Sequence, residues 1–263
     1  MRVGETKIPR DRQPDVRRKL RGRGAWVEAL RALSYQVASG LDLAEVESQD
    51  RAAHLRFVAL LTPIFKAFST ESGNLMAGTT IQIFGGMGFV EETGVAQLMR
   101  DIRVTTIYEG TTGIQANDLV FRKVQGDQGE ALKELMTDIE TDFAKYIALE
   151  IAGCEKEMLA QMIAVLKEST EFILQQGKAG RETLLCGAVN FLELMGIACC
   201  SWMMMRTAVA AYEQKEHSSD TAYLNNLIAL SRFYFAHFTP KVLALHKSVI
   251  TAEAGIQDYQ IEE

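Results

Sequence analysis

The sequence predicts an all-α protein built as one helical bundle followed by a second, and three observations carry that prediction. Apolar residues recur at spacings of three, four and seven along most of the chain, the signature of helices that bury one face. A single run, "IRVTTIY" from Ile102 to Tyr108, breaks helical period and, being rich in β-branched residues, reads as extended or irregular. The polar stretch "QGDQGE", Gln125 to Glu130, separates segments of different texture: of the four prolines only Pro240 follows it. The expected division is residues 1–124, a linker at 125–130 and residues 131–263. With 263 residues, 48% of them hydrophobic, each part has enough apolar side chains for a core.

The first helix takes its face from Val16, Leu20, Val27, Leu30, Leu33 and Val37, with Gly22 and Gly24 as weak points. Thr62-Pro63 has the form of an N-cap and first-turn proline, opening a helix of about five or six turns that carries Phe65, Phe68, Leu75, Met76 and Ile83. That helix stops at Gly85-Gly86. Glu91 and Glu92 start a shorter piece closing near Arg100, acid first and base last, as the helix dipole favours. Helix resumes after Thr111 or Thr112, with Ile114, Val120 or Phe121, and Val124 on one face. Beyond the linker, apolar-periodic segments near 131–151, 155–175, 181–212 and 220–250 fit four antiparallel helices joined by short connections such as "QQGKAG" and "EQKEHSSD". The most apolar window, Phe191 to Met205, contains Glu193 and falls short of the ~20 residues needed to cross a bilayer, so it reads as a buried core helix.

Composition excludes several function classes. The 28 basic and 34 acidic residues leave a net charge of −6, which offers no footprint for nucleic acid or an anionic membrane. Cys154, Cys186, Cys199 and Cys200 follow neither a zinc-ligand nor a disulfide spacing, and His54, His217, His237 and His246 form no HxxxH or HExxH pair, so no metal site is expected. The histidines read as surface or helix-face residues, and Met203 to Met205 beside Trp202 as flexible core filler. The basic N-terminus is followed by no apolar h-region, so a cytoplasmic protein with reduced thiols is expected.

Chemistry concentrates between residues 80 and 115. The glycines of "QIFGGMGF" leave bare backbone suited to phosphate oxygens or a cofactor, although the local pattern alone favours a helix C-cap and tight turn. Glu109 in "IYEGTTG" precedes a threonine-capped helix, where a carboxylate suits the dipole; Gly110 beside it removes a Cβ where a ligand would approach.

Taken together, "AGTTIQIFGGMGFVEETGVAQLMRDIRVTTIYEGTTGIQANDLVFRKV", residues 77 to 124, resembles the C-terminal signature of the acyl-CoA dehydrogenases: a glutamine and double-glycine turn, an "MRD" helix and an "IYEGT" loop in order. "QPDVRR", "EALRAL" and residues 181 to 257, with "GAVNFLELMGIACCSWM", are similar to the long-bodied subgroup that carries an additional helical domain. The resemblance implies that Glu109 is the base removing the α-proton of an acyl-CoA thioester, that Gly110 permits the bend turning its N–H toward the thioester carbonyl, and that Tyr108 lines the acyl pocket. It implies that Gln82, Gly85, Gly86 and Thr111 contact FAD, the glycine turn serving a neighbouring subunit's cofactor. Gly113 and Met87 depart from the family, which often has a glutamine and a histidine there. The family's middle β-domain has no counterpart in the chain, so the chain is expected to be the C-terminal piece of a larger, active enzyme and, in isolation, to bind FAD poorly and be inactive. A homo-oligomer, dimer or tetramer, and an electron-transfer flavoprotein as acceptor are further implications. "RRKLRGR", Arg17 to Arg23, reads as a solvated helix face, its alternative being contact with an acidic partner or a CoA phosphate. The competing reading of the whole chain is a non-catalytic helical oligomerisation module that keeps the fold without the chemistry.

Overall fold

The structure, a computed structural model, describes residues 12–46, 49–176 and 181–254. The basic stretch before residue 12 and most of the "QQGKAG" connection lie outside the described residues. Among the described residues every regular element is a helix or a helical turn. The first segment comprises α1 (Pro14–Val46), α2 (Arg51–Phe84), α3 (Val95–Arg103) and α4 (Thr112–Asn117), the last running into a π-helical turn over Asp118–Gln125.

The face that α1 buries matches only in part the one its large aliphatic residues predict: Leu33 is buried and Leu30 and Val37 pack against the core. Leu20 and Val27 stay exposed, while Gly22, Ala25, Trp26, Ala29, Leu33, Gly40 and Ala44 are buried. Small residues win because they let neighbouring helices approach closely: a Cβ on Gly40 would lie 2.8 Å from Val58 Cγ2 on α2. α2 in turn starts at Arg51 rather than at Thr62-Pro63. The Thr62 hydroxyl donates to the Val58 carbonyl at 2.7 Å and Pro63 is buried inside the helix. Burial of Val58, Leu60, Leu61 and Ile64 on either side of the proline offsets an interior-proline cost of about 3 kcal/mol. Ile102 to Tyr108 is not extended: α3 reaches Arg103 and passes into a 3₁₀ turn over Val104–Thr106. Ile102 packs where Gly73 of α2 carries no side chain, a tertiary contact that overrides β-branched propensity.

The second segment contains α5 (Glu130–Ala148), α6 (Glu155–Gln176), α7 (Arg181–Gln214), α8 (Thr221–His237) and α9 (Lys241–Ile250). One helix over 220–250 was expected; there are two, because Pro240 has no N–H to continue α8, and the Phe238 and Thr239 amides both turn back to the Tyr234 carbonyl. α7 is longer than its apolar window suggests. Leu184–Gln214 is long and apolar enough to cross a membrane, with mean hydropathy 1.7, yet 72% of the most apolar part is buried inside the protein.

Both segments contribute to one buried cluster. Trp26 of α1 lies with its ring 5.1 Å from Phe68 of α2, 5.4 Å from Tyr234 of α8 and 4.8 Å from Phe238. Gly196 of α7 makes room for this contact, since a Cβ there would sit 2.2 Å from Phe68 Cγ. His246 is not a surface residue: it is buried on α9, with Nδ1 2.9 Å from Ser169 Oγ and Nε2 3.2 Å from the Glu168 carboxylate.

Candidate active site

α2 ends where glycine punctuation says it should. Gly85 caps it at φ 66°, its N–H turned to the carbonyls of Ile81 and Gln82. Gln82, Gly85 and Gly86 are exposed, and a Cβ placed on Gly86 would meet nothing within 4 Å. This is open backbone that a ligand can approach, so the turn fits a flat cofactor edge or a phosphate arriving from outside the chain. Gly88 behaves differently: it is buried, and a Cβ there would clash at 2.7 Å with the Ile81 carbonyl, so its role is the turn itself. Glu91 and Arg100 tie the following 3₁₀ turn to α3 through two hydrogen bonds, of 2.7 and 2.9 Å. Both groups are fully exposed, and the paired guanidinium holds the Glu91 carboxyl below its usual range.

The Tyr108 to Thr112 loop is more tightly specified. Glu109 itself sits in left-handed backbone at φ 54°, and Gly110 follows at φ 96°. A non-glycine residue there is uncommon and costs roughly 1–3 kcal/mol, a strain that persists only where surroundings over-determine it. Those surroundings are identifiable. Lys66 Nζ of α2 donates to the Gly110 carbonyl at 2.6 Å and lies 5.7 Å from the Tyr108 ring centroid. Gln115 Nε2 donates to the Glu109 carbonyl at 3.0 Å. The Thr112 hydroxyl donates to the Glu71 carboxylate at 2.6 Å, and Thr111 Oγ1 caps α4 by accepting from the Ile114 amide at 3.4 Å. Two main-chain carbonyls and two hydroxyls are therefore held, while the side chains of Tyr108 and Glu109 are left exposed.

Lys66, Glu71 and Gln115 are the residues that sequence reasoning missed. Only Lys66 had a signal, a polar stripe on an apolar helix: Lys66, Thr70 and Asn74 recur at four-residue spacing, linked by Thr70 Oγ1 to the Lys66 carbonyl and Asn74 Nδ2 to the Thr70 carbonyl. Asn74 also reaches the Ile102 carbonyl at 3.4 Å.

The glycine turn and the glutamate loop are not brought together within this chain. The loop is anchored at Lys66 and Glu71 and the turn begins at Gln82 to Gly85, a separation along α2 of roughly 16–28 Å at 1.5 Å per residue. Around each, large apolar side chains face outward: Val104, Ile107 and Ile114 beside the loop, Phe84, Met87 and Phe89 beside the turn. Ile114 is 59% exposed although it was placed on the buried face of its helix; that face belongs to Leu119, Val120 and Val124. Among the described residues no group of three or more His, Cys, Asp or Glu is arranged to hold a metal.

Comparison with known proteins places the chain in a family. Residues 10–123 match the family description "Acyl-CoA dehydrogenase, C-terminal domain", and residues 132–259 match "Acetyl-CoA dehydrogenase C-terminal like". The chain is 34% identical over 250 residues to the 3-methylmercaptopropionyl-CoA dehydrogenase of Ruegeria pomeroyi, an alignment covering 92% of this chain and 42% of that protein. It is 27% identical to the broad-specificity linear acyl-CoA dehydrogenase FadE5 of Mycobacterium tuberculosis, covering 93% of this chain and 42% of the relative. Among solved structures, an acyl-CoA dehydrogenase complexed with FAD from Bacillus anthracis superposes with a TM-score of 0.71 at 16% identity, over 96% of this chain and 44% of that one. Caenorhabditis elegans ACDH-11 in complex with C11-CoA gives a TM-score of 0.65 at 18% identity, over 93% of this chain and 41% of that one. The chain thus spans less than half the length of the relatives it matches. It belongs to the acyl-CoA dehydrogenase family, and the part of that family it contains is the C-terminal helical region.

Proposed function

We propose that this chain works as the C-terminal helical part of an FAD-dependent acyl-CoA dehydrogenase, which converts an acyl-CoA thioester to the 2-enoyl-CoA with Glu109 as the α-proton base. The observation that carries the reading is the strained Glu109-Gly110 bend, clamped from α2 by Lys66 and from α4 by Gln115. A scaffold gains nothing from holding an exposed acid in left-handed backbone against a cost of roughly 1–3 kcal/mol.

In this reading each residue has a part. Glu109 takes the α-proton, and it needs help, because a carboxylate alone is too weak a base for an ordinary α-carbon. Its own amide, turned by the left-handed bend, is the donor this chain offers to the thioester carbonyl, which stabilises the negative charge that develops there. Tyr108 lines the acyl pocket, its ring steadied beneath the Lys66 ammonium. Gly110 keeps the approach to the carboxylate free of a Cβ. Gln82, Gly85, Gly86 and Thr111 are the residues that would hold FAD, which when bound accepts the β-hydrogen as hydride.

The separation of loop and turn along α2 favours a cofactor shared across subunits, the turn of one copy serving the loop of another. The outward apolar residues at both places suit burial in a homo-oligomer, dimer or tetramer, and against the remaining domains of a longer protein. For the same reason the isolated chain is inactive, and a cytoplasmic enzyme passing electrons to an electron-transfer flavoprotein completes the reading. The test is Glu109→Gln in the longer protein that carries this segment: turnover falls by about 10²–10⁴-fold with flavin still bound, as expected for loss of a general base. Unchanged turnover would sink the assignment.

A further inference from the structure

The "RRKLRGR" run of α1 is not simply a solvated face. Arg18, Lys19 and Arg23 line a cavity of about 250 Å³ whose opposite wall comes from α8 and α9, where His237 and Lys241 complete the rim. Its floor is aromatic: Trp26, Phe233 and Phe238, with Phe233 stacked on His237 at 4.1 Å and Trp26 4.8 Å from Phe238. Lys241 Nζ lies 5.9 Å from the ring centroid of Phe238, another lining residue, which holds its ammonium beside the aromatic side chains. Gly22 deepens the floor, since a Cβ there would reach 3.4 Å from Phe238 Cζ.

The charge balance of this cavity opposes that of the whole chain. The protein carries −6, yet four fixed cations line the cavity and no acidic side chain does. Asp15 pairs with Arg18 and Lys19 at 2.6 Å each, leaving Arg23 and Lys241, among the described residues, without a carboxylate partner. Gathering like charges from segments more than two hundred residues apart is unfavourable unless an anion joins them. Cations around a recess bind phosphate oxygens through charge-assisted hydrogen bonds, and an aromatic floor binds a flat base by stacking.

We infer that this cavity between the first and second segments is a binding site for a nucleoside phosphate, with the phosphates at Arg23 and Lys241 and the base over Phe233 and Phe238. The site requires both segments, because neither α1 nor the α8–α9 corner forms it alone. It is independent of the role given to Glu109. The nucleotide is either free or the ADP end of a thioester carrier such as CoA.

Calorimetric titration of the full chain with ADP, CoA, adenosine and inorganic pyrophosphate tests this. ADP is expected to bind at least about tenfold more tightly than either adenosine or pyrophosphate, with affinity falling as salt rises. Arg23→Ala and Lys241→Ala are each expected to weaken ADP binding about tenfold or more without changing the circular dichroism or the melting temperature. CoA binding as tightly as ADP assigns the site to a carrier's nucleotide end, and ADP binding more tightly assigns it to a free nucleotide. Adenosine or pyrophosphate matching ADP, no ADP binding at millimolar concentration, or unchanged affinity in both folded variants overturns the inference.

Discussion

Glu109 pays in stability for its position, and the size of that cost can be measured. Left-handed backbone disfavours a residue with a Cβ by about 1–2 kcal/mol, while glycine loses about 0.5–1 kcal/mol of entropy on being fixed. Glu109→Gly is therefore expected to stabilise the chain by about 0.5–1 kcal/mol in chemical denaturation, while abolishing activity in the longer protein. A destabilised variant would mean the bend is not strained. A second residue-scale feature is structural. Burial pushes the Glu155 carboxyl up, but the Tyr146 hydroxyl at 2.6 Å, the Gly153 and Glu155 amides and Arg232 together hold it below its ordinary value of 4.5. A depressed folded value contributes stability that is complete above pH 4.5 and lost as pH falls through the lower folded value. Tyr146→Phe should cost about 1–3 kcal/mol at pH 7, with the deficit shrinking in acid, as read from denaturation curves at several pH values. Glu109 and Gly110 were legible as a pair in the sequence. The left-handed backbone of Glu109 was not, because it depends on donors from Lys66 and Gln115 that only the fold brings near.

At the scale of elements, α2 is the organising helix. It carries the glycine turn at one end, anchors the glutamate loop near its middle and inserts Phe68 into the gap at Gly196 of α7. Lys66→Met is expected to raise amide exchange across residues 107–112 while leaving exchange in α7 unchanged; equal protection in both forms would show that the clamp is dispensable. Gly196→Ala places a methyl 2.2 Å from the Phe68 ring and should cost about 1–3 kcal/mol through forced repacking. The end of α2 at Gly85 could be read from sequence, whereas its start could not. Thr62-Pro63 has the local chemistry of a helix start, and only burial of the apolar residues before it makes the helix continue through the proline. The reverse happened at Pro240, where an apolar face suggested one long helix and the missing N–H divided it. In α1 the outward placement of Leu20 and Val27 was not legible, because the close approach of α2 requires a small residue, Gly40, at the contact.

The two segments were distinguishable in the sequence at 125–130, yet their cores are continuous through Trp26, Phe68, Tyr234 and Phe238. A single cooperative thermal transition is therefore expected for the chain, and two separated calorimetric transitions would contradict a shared core. The cavity rimmed by Arg23 and Lys241 belongs to the same level of organisation: its basic half was visible in the sequence, but its partner half arrives from α8 and α9. The outward apolar residues beside the loop and the turn fit the proposal that other subunits or domains complete the site. The proposed chemistry rests on one carboxylate, Glu109. The most direct test follows wash-out of an α-deuterium from an acyl-CoA thioester into water, catalysed by the longer protein that carries this segment. Glu109→Gln is predicted to stop the wash-out while flavin and thioester remain bound; wash-out at the wild-type rate would contradict the account.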